Sequence, residues 1–508
     1  MRHWLPAGHV AWLVIEAVAL LDTSAFHARR RTGGAGAAGY DPDMRVTLLV
    51  WAYANGVTSS RRIERLCQQD VAFRVICAGH LPDHVTIARF RQQFAEAAAS
   101  LFAQVLVLCA RLGMGQVGTV ALDGTKIAGN ASAGANRTEE GLRKLAAEMA
   151  ARHAAADAEE DALFGNGKRG DDDPGDPFTR QERVAAALAS LQQEREAREA
   201  AERAAAEANL RAARAGAPGA GRPPGGARVE AARLRLERET AAALARARDW
   251  ERRRAAGSRR GRRPVPPEAS ARVRRAAAWL EKAEARQAAR AAAAGREPAR
   301  RNVTDPDSRL MPVRGGGFIQ GYNAQNVTSS DGLVIATRLT ADTTDTRWYE
   351  PMIKDAAAAA AVMAAAGGPG DGIIGLALAD AGYLSGHNLT CPGPGRLIAT
   401  GKRYDLEKAA RAGSGHDPGP AGQPEESPIA AMAARLATED GIAAYRRRSH
   451  LGEVFHGDIK HNQGLRRLSV RGLPGASGEW TFAAAVRNLR KAITSGHLTA
   501  QALAALAG

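Results

Sequence analysis

TVALDGTKIAGNAS, residues 119–132, begins apolar, delivers one carboxylate at Asp123, and then turns small and polar. Asp-Gly is a common turn pair, since both residues tolerate the backbone angles that tight turns need. Taken alone, the stretch reads as a strand that stops in a turn. The other reading is that the strand exists to hold Asp123. The choice between them rests on whether further carboxylates arrive in the same way.

Two do. GIIGLALAD, residues 372–380, is again a continuous apolar run suited to a strand buried on both faces, and it ends in Asp380. Ala-Gly-Tyr and a predicted helix follow, so Asp380 also reads as a helix N-cap. Glu453 lies on a later predicted helix, with His456, Lys460 and His461 at i+3, i+7 and i+8 on the same face. Taken singly, that face reads as solvated. Jointly, two Asp-bearing strands side by side and a helix packed on their sheet would bring three carboxylates together. Such an oxygen-only set suits hard divalent cations, Mg²⁺ or Mn²⁺. A pair of those ions supports phosphodiester displacement.

The 508 residues suffice for two or three domains. Seventy Lys and Arg against 54 Asp and Glu give a net charge of +16, which favours a polyanionic partner. Arg, Ala and Gly are all over-used, a mark of GC-rich coding, so part of the basicity is compositional. Cys67, Cys77, Cys109 and Cys391 lack C-x-x-C spacing and read as reduced, buried thiols; His84, His387 and His461 read as polar or core residues, with no zinc site. HVAWLVIEAVALLDTSAF, residues 9–26, carries two acids and lacks a basic leader or cleavage site. The Ala-rich run from 356 is too short to span a bilayer. The expectation is a soluble cytoplasmic protein, nucleoid-associated and without membrane contact.

Three regions emerge. Residues 1–115 are helical in pattern, with Arg61, Arg62 and Arg65 near the start of one helix and Arg89 and Arg91 on the next, a layout that could grip phosphates. Residues 137–300 are rich in Ala, Arg and Glu, poor in aromatics, and broken by Gly/Pro segments. They read as a helical insertion, partly disordered, that builds no core of its own. Residues 116–136 and 301–495 carry the strand signals, including a hairpin through Ser-Ser-Asp-Gly (329–332), and 496–508 is a tail. Asp342 and Asp345 precede a helix and read as caps.

The segments YDPDMRVTLLVWAYANGVTSSRRIERLCQQD, LPDHVTIARFR, ALDGTKIAGNAS, NVTDPDSRLM with GYNAQNV, LADAGYLSGHNL with LIATGKR, and HLGEVFHGDIKHNQGLRRLSVRG with GEW and NLRK follow one another in order. Together they resemble the DDE transposases of bacterial insertion sequences, closest to the eleven-eighty-two group, across nearly the whole chain. The resemblance implies an α/β fold: an RNase H-like mixed-sheet catalytic core, interrupted by the helical insertion and preceded by an all-helical N-terminal DNA-binding domain. It implies that Asp123, Asp380 and Glu453 are the catalytic metal ligands for two Mg²⁺ ions, with Mn²⁺ as the substitute. It also implies that Lys460 lies near DNA, with Lys402 and Arg448 beside it. The partners implied are terminal inverted repeats, target DNA and further copies of the chain. The implied reaction is cleavage at element ends followed by strand transfer. A nuclease of the same fold that cuts without joining, and an inactive DNA-binding relic, are the alternatives.

Two departures stand out. Relatives have Glu-Pro-Val-Phe-Gly-Gln-Ile-Lys where this chain has EVFHGDIK. Some relatives also carry Tyr and Arg seven and four residues before the Glu. Here those positions hold Arg446 and Ser449, and Tyr445 and Arg448 come one residue earlier. On an unbroken α-helix that offset turns them by about 100°.

Overall fold

The computed structural model describes residues 2–28, 39–92, 94–164, 180–214, 227–257, 262–294, 299–313, 315–401 and 428–507. Two compact units result: Met1–Ala135 together with Thr304–Gly508, and Asn136–Val303.

Eight strands occur among the described residues. They are β1 (Thr119–Ala128), β2 (Asn136–Thr138), β3 (Arg300–Asn302), β4 (Arg309–Pro312), β5 (Phe318–Ser329), β6 (Val334–Thr340), β7 (Leu376–Ala379) and β8 (Gly395–Ile398). In the first unit, β1 is central. It pairs antiparallel with β5 from Val120↔Ser329 to Ala128↔Gly321 and parallel with β7 from Thr119↔Leu376 to Leu122↔Ala379. β6 and β4 share the far edge of β5, both antiparallel, and β8 extends the sheet parallel to β7. The Ser-Ser-Asp-Gly hairpin expected from the sequence is the β5–β6 turn.

Side chains alternate across a sheet with period two, and the core divides accordingly. Ala121, Leu378 and Leu397 pack on one face with Met432, Leu436 and Leu451. Val120, Leu122, Ala377, Ala379 and Ile398 belong to the larger cluster on the other face, with Tyr349, Met352, Trp480 and Phe482. That larger cluster runs without a break into the helices of residues 10–111, through Val14, Leu49, Tyr53, Phe90 and Leu106. Tyr53 donates a 2.7 Å hydrogen bond to the buried carboxylate of Glu479 on the helix Leu473–Thr494. Residues 1–115, expected as a domain of their own, therefore share one hydrophobic core with the sheet. The expected tail also folds: Ala500–Ala507 is helical and buries Leu503.

The second unit holds four long helices, Glu139–Phe164, Arg180–Arg214, Ala227–Ala255 and Ala271–Ala294, and the short β2–β3 ladder. It does bury apolar groups of its own, contrary to the expectation. They fall into two small clusters: Leu142 with Val184, Ala187 and Leu191, and Val229 with Ala232 and Ala283. The insertion's Gly/Pro-rich breaks at 165–179, 215–226 and 258–261 lie outside the described residues, so the expectation of partial disorder there has no counterpart.

Candidate active site

Asp123 does not end its strand. β1 continues through Gly124 to Ala128 because β5 supplies partners along that whole length, and Asp123 lies opposite Asn326. What ends beside Asp123 is β7, whose last pair with β1 is Leu122↔Ala379. The residues that follow this pair, Asp123 and Asp380, continue the alternation of Ala121 and Leu378. They therefore emerge toward the same helical layer, at the point where the two strands part.

Asp380 is also the cap that its sequence suggested. It precedes a short 3₁₀ turn, Ala381–Tyr383, and its Oδ1 accepts a 2.9 Å bond from the Gly382 N–H. Burial, together with the charges of Asp123 and Asp345, holds the Asp380 carboxyl above its ordinary value. Burial also pushes the Asp123 carboxyl up, but hydrogen bonding to His456 and the charges of His456 and Arg448 outweigh it and leave Asp123 below its ordinary value. The His456 Nδ1 is 3.5 Å from Asp123 Oδ2, and its Nε2 is 3.1 Å from Asn326 Nδ2. His456 stands where relatives were expected to carry Phe.

The third carboxylate arrives on a distorted helix. Glu439–Arg448 is α-helical, and Ser449–Glu453 is one π-helical turn. A π-turn accommodates one extra residue per turn. The one-residue offset of Tyr445 and Arg448 is thereby absorbed, and both face the strand ends. Tyr445 donates to the Ala379 carbonyl at 3.3 Å, directly before Asp380. Arg448 has Nη1 3.7 Å from Asp123 Oδ1 and Nη2 3.4 Å from Glu453 Oε1. Burial works against the Arg448 charge, but Tyr445, Asp123, Asp380 and Glu453 together hold it above its ordinary value. The π-turn is fastened to the sheet by Thr328 Oγ1, which donates to the Leu451 carbonyl at 3.0 Å. Gly452 permits the close approach, since a Cβ there would come within 3.0 Å of the Asp123 Cβ. Glu453 itself is half-exposed, at 53% of its side chain, and reaches the group through Arg448.

Lys460 lies on a second π-turn, Asp458–Asn462. Its Nζ donates to Thr125 Oγ1 at 2.6 Å and to the Lys126 carbonyl at 2.9 Å, just past Asp123 on β1. Burial lowers its pKa, opposed by the charge of Asp123.

The donors fit a hard divalent cation. They are carboxylate oxygens, burial and the neighbouring carboxylates hold Asp380 above its ordinary value, and the basic groups beside Asp123 are His456, Lys460 and the Arg448 guanidinium. With that guanidinium between them, Asp123, Asp380 and Glu453 are not drawn into a tight cluster. The close ligand sets among the described residues are Glu350/His387/Cys391 and His27/Asp41/Asp43. The first is already accompanied by two cations, Lys354 at 2.7 Å from Glu350 and Arg396 at 3.0 Å from Cys391.

Comparison with known families matches residues 1–93 to a transposase domain (DUF772) and residues 422–493 to a transposase DDE domain. The two matches support an insertion-sequence DDE transposase. The second match contains Tyr445, Arg448, Glu453 and Lys460, and the first contains the arginine-bearing helices. No curated protein and no solved structure matches the chain. Enzymes of this family act on DNA and use divalent metal ions.

The chain exposes Arg61, Arg62 and Arg65 on the helix Ser60–Gln69, and Arg89 on the helix His84–Gln92. Arg91 is different. It is 3% exposed, bonds Ser469 Oγ at 2.8 Å and lies 3.9 Å from Glu479, so it serves the interior and not a DNA surface. Lys402 lies outside the described residues. Among those residues no single helix is long and apolar enough to cross a membrane. All four cysteines are free and buried.

Sequence reasoning misread Asp345. It occupies a cap position before the turn Thr346–Trp348, yet its side chain caps nothing. Its Oδ1 instead accepts from Asn323 Nδ2 at 2.6 Å, Gln325 Nε2 at 2.7 Å and Lys126 Nζ at 3.2 Å. Asp342 likewise bonds Arg347 and the Trp348 indole with its side chain. A signal for Asp345 was present in YNAQN. Asn323 and Gln325 are polar at period two in a strand buried from Gln320 to Ser329, which marks a polar patch on one face.

Proposed function

We propose that the chain is a metal-dependent transposase of the eleven-eighty-two group, built on an RNase H-like core, which cuts at element ends and joins the freed ends to target DNA. One observation carries the reading: β1 and β7 part after Leu122↔Ala379, so that Asp123 and Asp380 emerge side by side under the Arg448 turn. The order β6-β5-β1-β7-β8, antiparallel on one side of β1 and parallel on the other, supports the RNase H-like assignment.

In the first step the oxygen of water bonds to the phosphorus at the element end, and the 3′-oxygen leaves with a proton as 3′-OH. In the second, that 3′-OH bonds to a target phosphorus, and the displaced target 3′-oxygen takes the proton. Asp123, Asp380 and Glu453 would hold two Mg²⁺ or Mn²⁺ ions, which would supply the Lewis-acid charge that such displacements need. The chain's own residues prepare the site. His456 and Arg448 keep Asp123 ionised, Tyr445 fixes the end of β7, and Lys460 braces β1 while bringing positive charge near the scissile phosphate. Arg61, Arg62, Arg65 and Arg89 grip the element end, as one subunit of a dimer or larger assembly on DNA.

The test is metal-dependent cleavage of element-end DNA by Asp123→Ala, Asp380→Ala and Glu453→Ala. Each is expected to lose at least about a hundredfold in rate, the order at which groups acting in the transition state register, with DNA binding retained. Near wild-type cleavage by any of the three overturns the site. Joining of a pre-cut 3′-OH end to plasmid separates a transposase from a nuclease. Neutralising Arg61, Arg62 and Arg65 together is expected to flatten the salt dependence of binding, by about 0.9 in log–log slope per lost phosphate contact. An unchanged slope removes them from the DNA interface.

A further inference from the structure

We propose that Asp345 is a fourth carboxylate of the catalytic centre, supplying an oxygen ligand to the divalent ion from the face of the sheet opposite Glu453. The inference rests on the metal-site reading above and extends it by one residue. Asn323, Gln325 and Lys126 all converge on Oδ1. No hydrogen bond is made by Oδ2 among the described residues. A carboxylate held by one oxygen and open at the other is the arrangement a rigid ligand requires, because orientation is fixed before the ion arrives.

The open oxygen is in the right place. A methyl group on Gly382 would lie 3.0 Å from Asp380 Oδ1 and 3.3 Å from Asp345 Oδ2, so the two carboxylates border the same small volume. Gly124 completes the access: a Cβ there would meet Asp345 Oδ1 at 2.8 Å. Because residue 124 has no side chain and β7 has already ended, Asp345 reaches the gap between the strands from behind the sheet. Asp123 reaches it from in front. Tyr383, fully buried, donates to Gln325 Oε1 and feels the charges of Asp345, Asp123 and Asp380 together.

The competing account is that Asp345 only pairs with Lys126 and orders the β5 amides. Mn²⁺ titration of the full-length protein by calorimetry, without DNA, distinguishes the two. Asp345→Asn keeps an acceptor for the three donors and removes the ligand charge. It is expected to weaken Mn²⁺ binding by roughly tenfold or more, the scale of losing a group that a metal centre uses. Mn²⁺ affinity equal to wild type overturns the proposal. Asp123→Asn is the reference. If it too leaves Mn²⁺ binding unchanged, the metal site itself is wrong; if it weakens binding while Asp345→Asn does not, only the fourth ligand is wrong. Should Asp345→Asn fail to fold, Asp345→Glu replaces it, keeping the charge but displacing the open oxygen. Altered affinity then supports the assignment and wild-type affinity overturns it.

Discussion

Asp380 carries opposite instructions for stability and for chemistry. Burial, with Asp123 and Asp345 nearby, raises its pKa above the ordinary 3.8. A folded state that holds the proton more tightly than the unfolded chain gains stability from this residue below the unfolded pKa and loses it as pH rises through the folded one. At neutral pH without divalent ions, ionised Asp380 therefore costs stability. Asp380→Asn retains a capping oxygen for Gly382 and removes the charge. In EDTA at pH 7 its melting midpoint is expected to exceed wild type by about 1 °C, the response to about 1 kcal/mol in a chain of this size. The difference should vanish as pH falls toward 4. Calorimetry at the two pH values checks this, and a lower midpoint at pH 7 contradicts it. Asp123 has the opposite sign: its lowered pKa stabilises at neutral pH and that contribution is lost on acidification. The sequence revealed Asp123 and Asp380 because each follows a run of buried apolar residues. For Asp345 the one signal was the polar pair Asn323 and Gln325, which points to that residue only once β1 and β5 are laid side by side.

At the scale of elements, local pattern located strands and helices well and misplaced their ends. The apolar run before Asp123 matched the part of β1 that has neighbours on both edges, whereas the strand's polar half depends on β5, which lies far along the chain. The helical stretch 58–79 is broken at Asp70, which is extended and caps the next helix through Ala72 and Phe73. The largest surprise is the π-turn at Ser449–Glu453, because an extra residue in a helix leaves no mark in composition. It yields a sharp expectation. Deleting His450, an exposed residue within the turn, would convert it to α-helix and restore the spacing of relatives. Tyr445, Arg448 and Glu453 would keep one face, so cleavage should stay within about tenfold of wild type. Inserting an Ala after His450 would instead rotate Tyr445 and Arg448 by about 100° from Glu453 and abolish cleavage. Single-turnover cleavage by both variants checks the pair. If the deletion is dead with its melting midpoint intact, the π-turn does more than absorb one residue.

At the scale of the molecule, the chain is a single core with a long excursion. No described residue from Asn136 to Val303 belongs to the main hydrophobic cluster, which runs from Ala11 to Leu503 through the sheet. The excursion leaves and returns by one antiparallel ladder, β2 with β3, in which Thr138 lies directly opposite Arg300. Residues opposed in this way are what a two-residue hairpin turn joins, and Asn-Gly has the backbone freedom for the type I′ geometry that matches strand twist. Replacing residues 139–299 by Asn-Gly should therefore close the ladder without disturbing Ala135 or Thr304. The small clusters around Leu142 and Val229 are removed whole. The shortened chain is expected to unfold in one cooperative transition and to bind divalent metal as the full chain does. Circular dichroism melting and Mn²⁺ titration measure both. A shortened protein that is unfolded or aggregated would make the insertion part of the folding core. One that folds and holds metal but no longer binds element ends would locate a DNA contact on the removed helices.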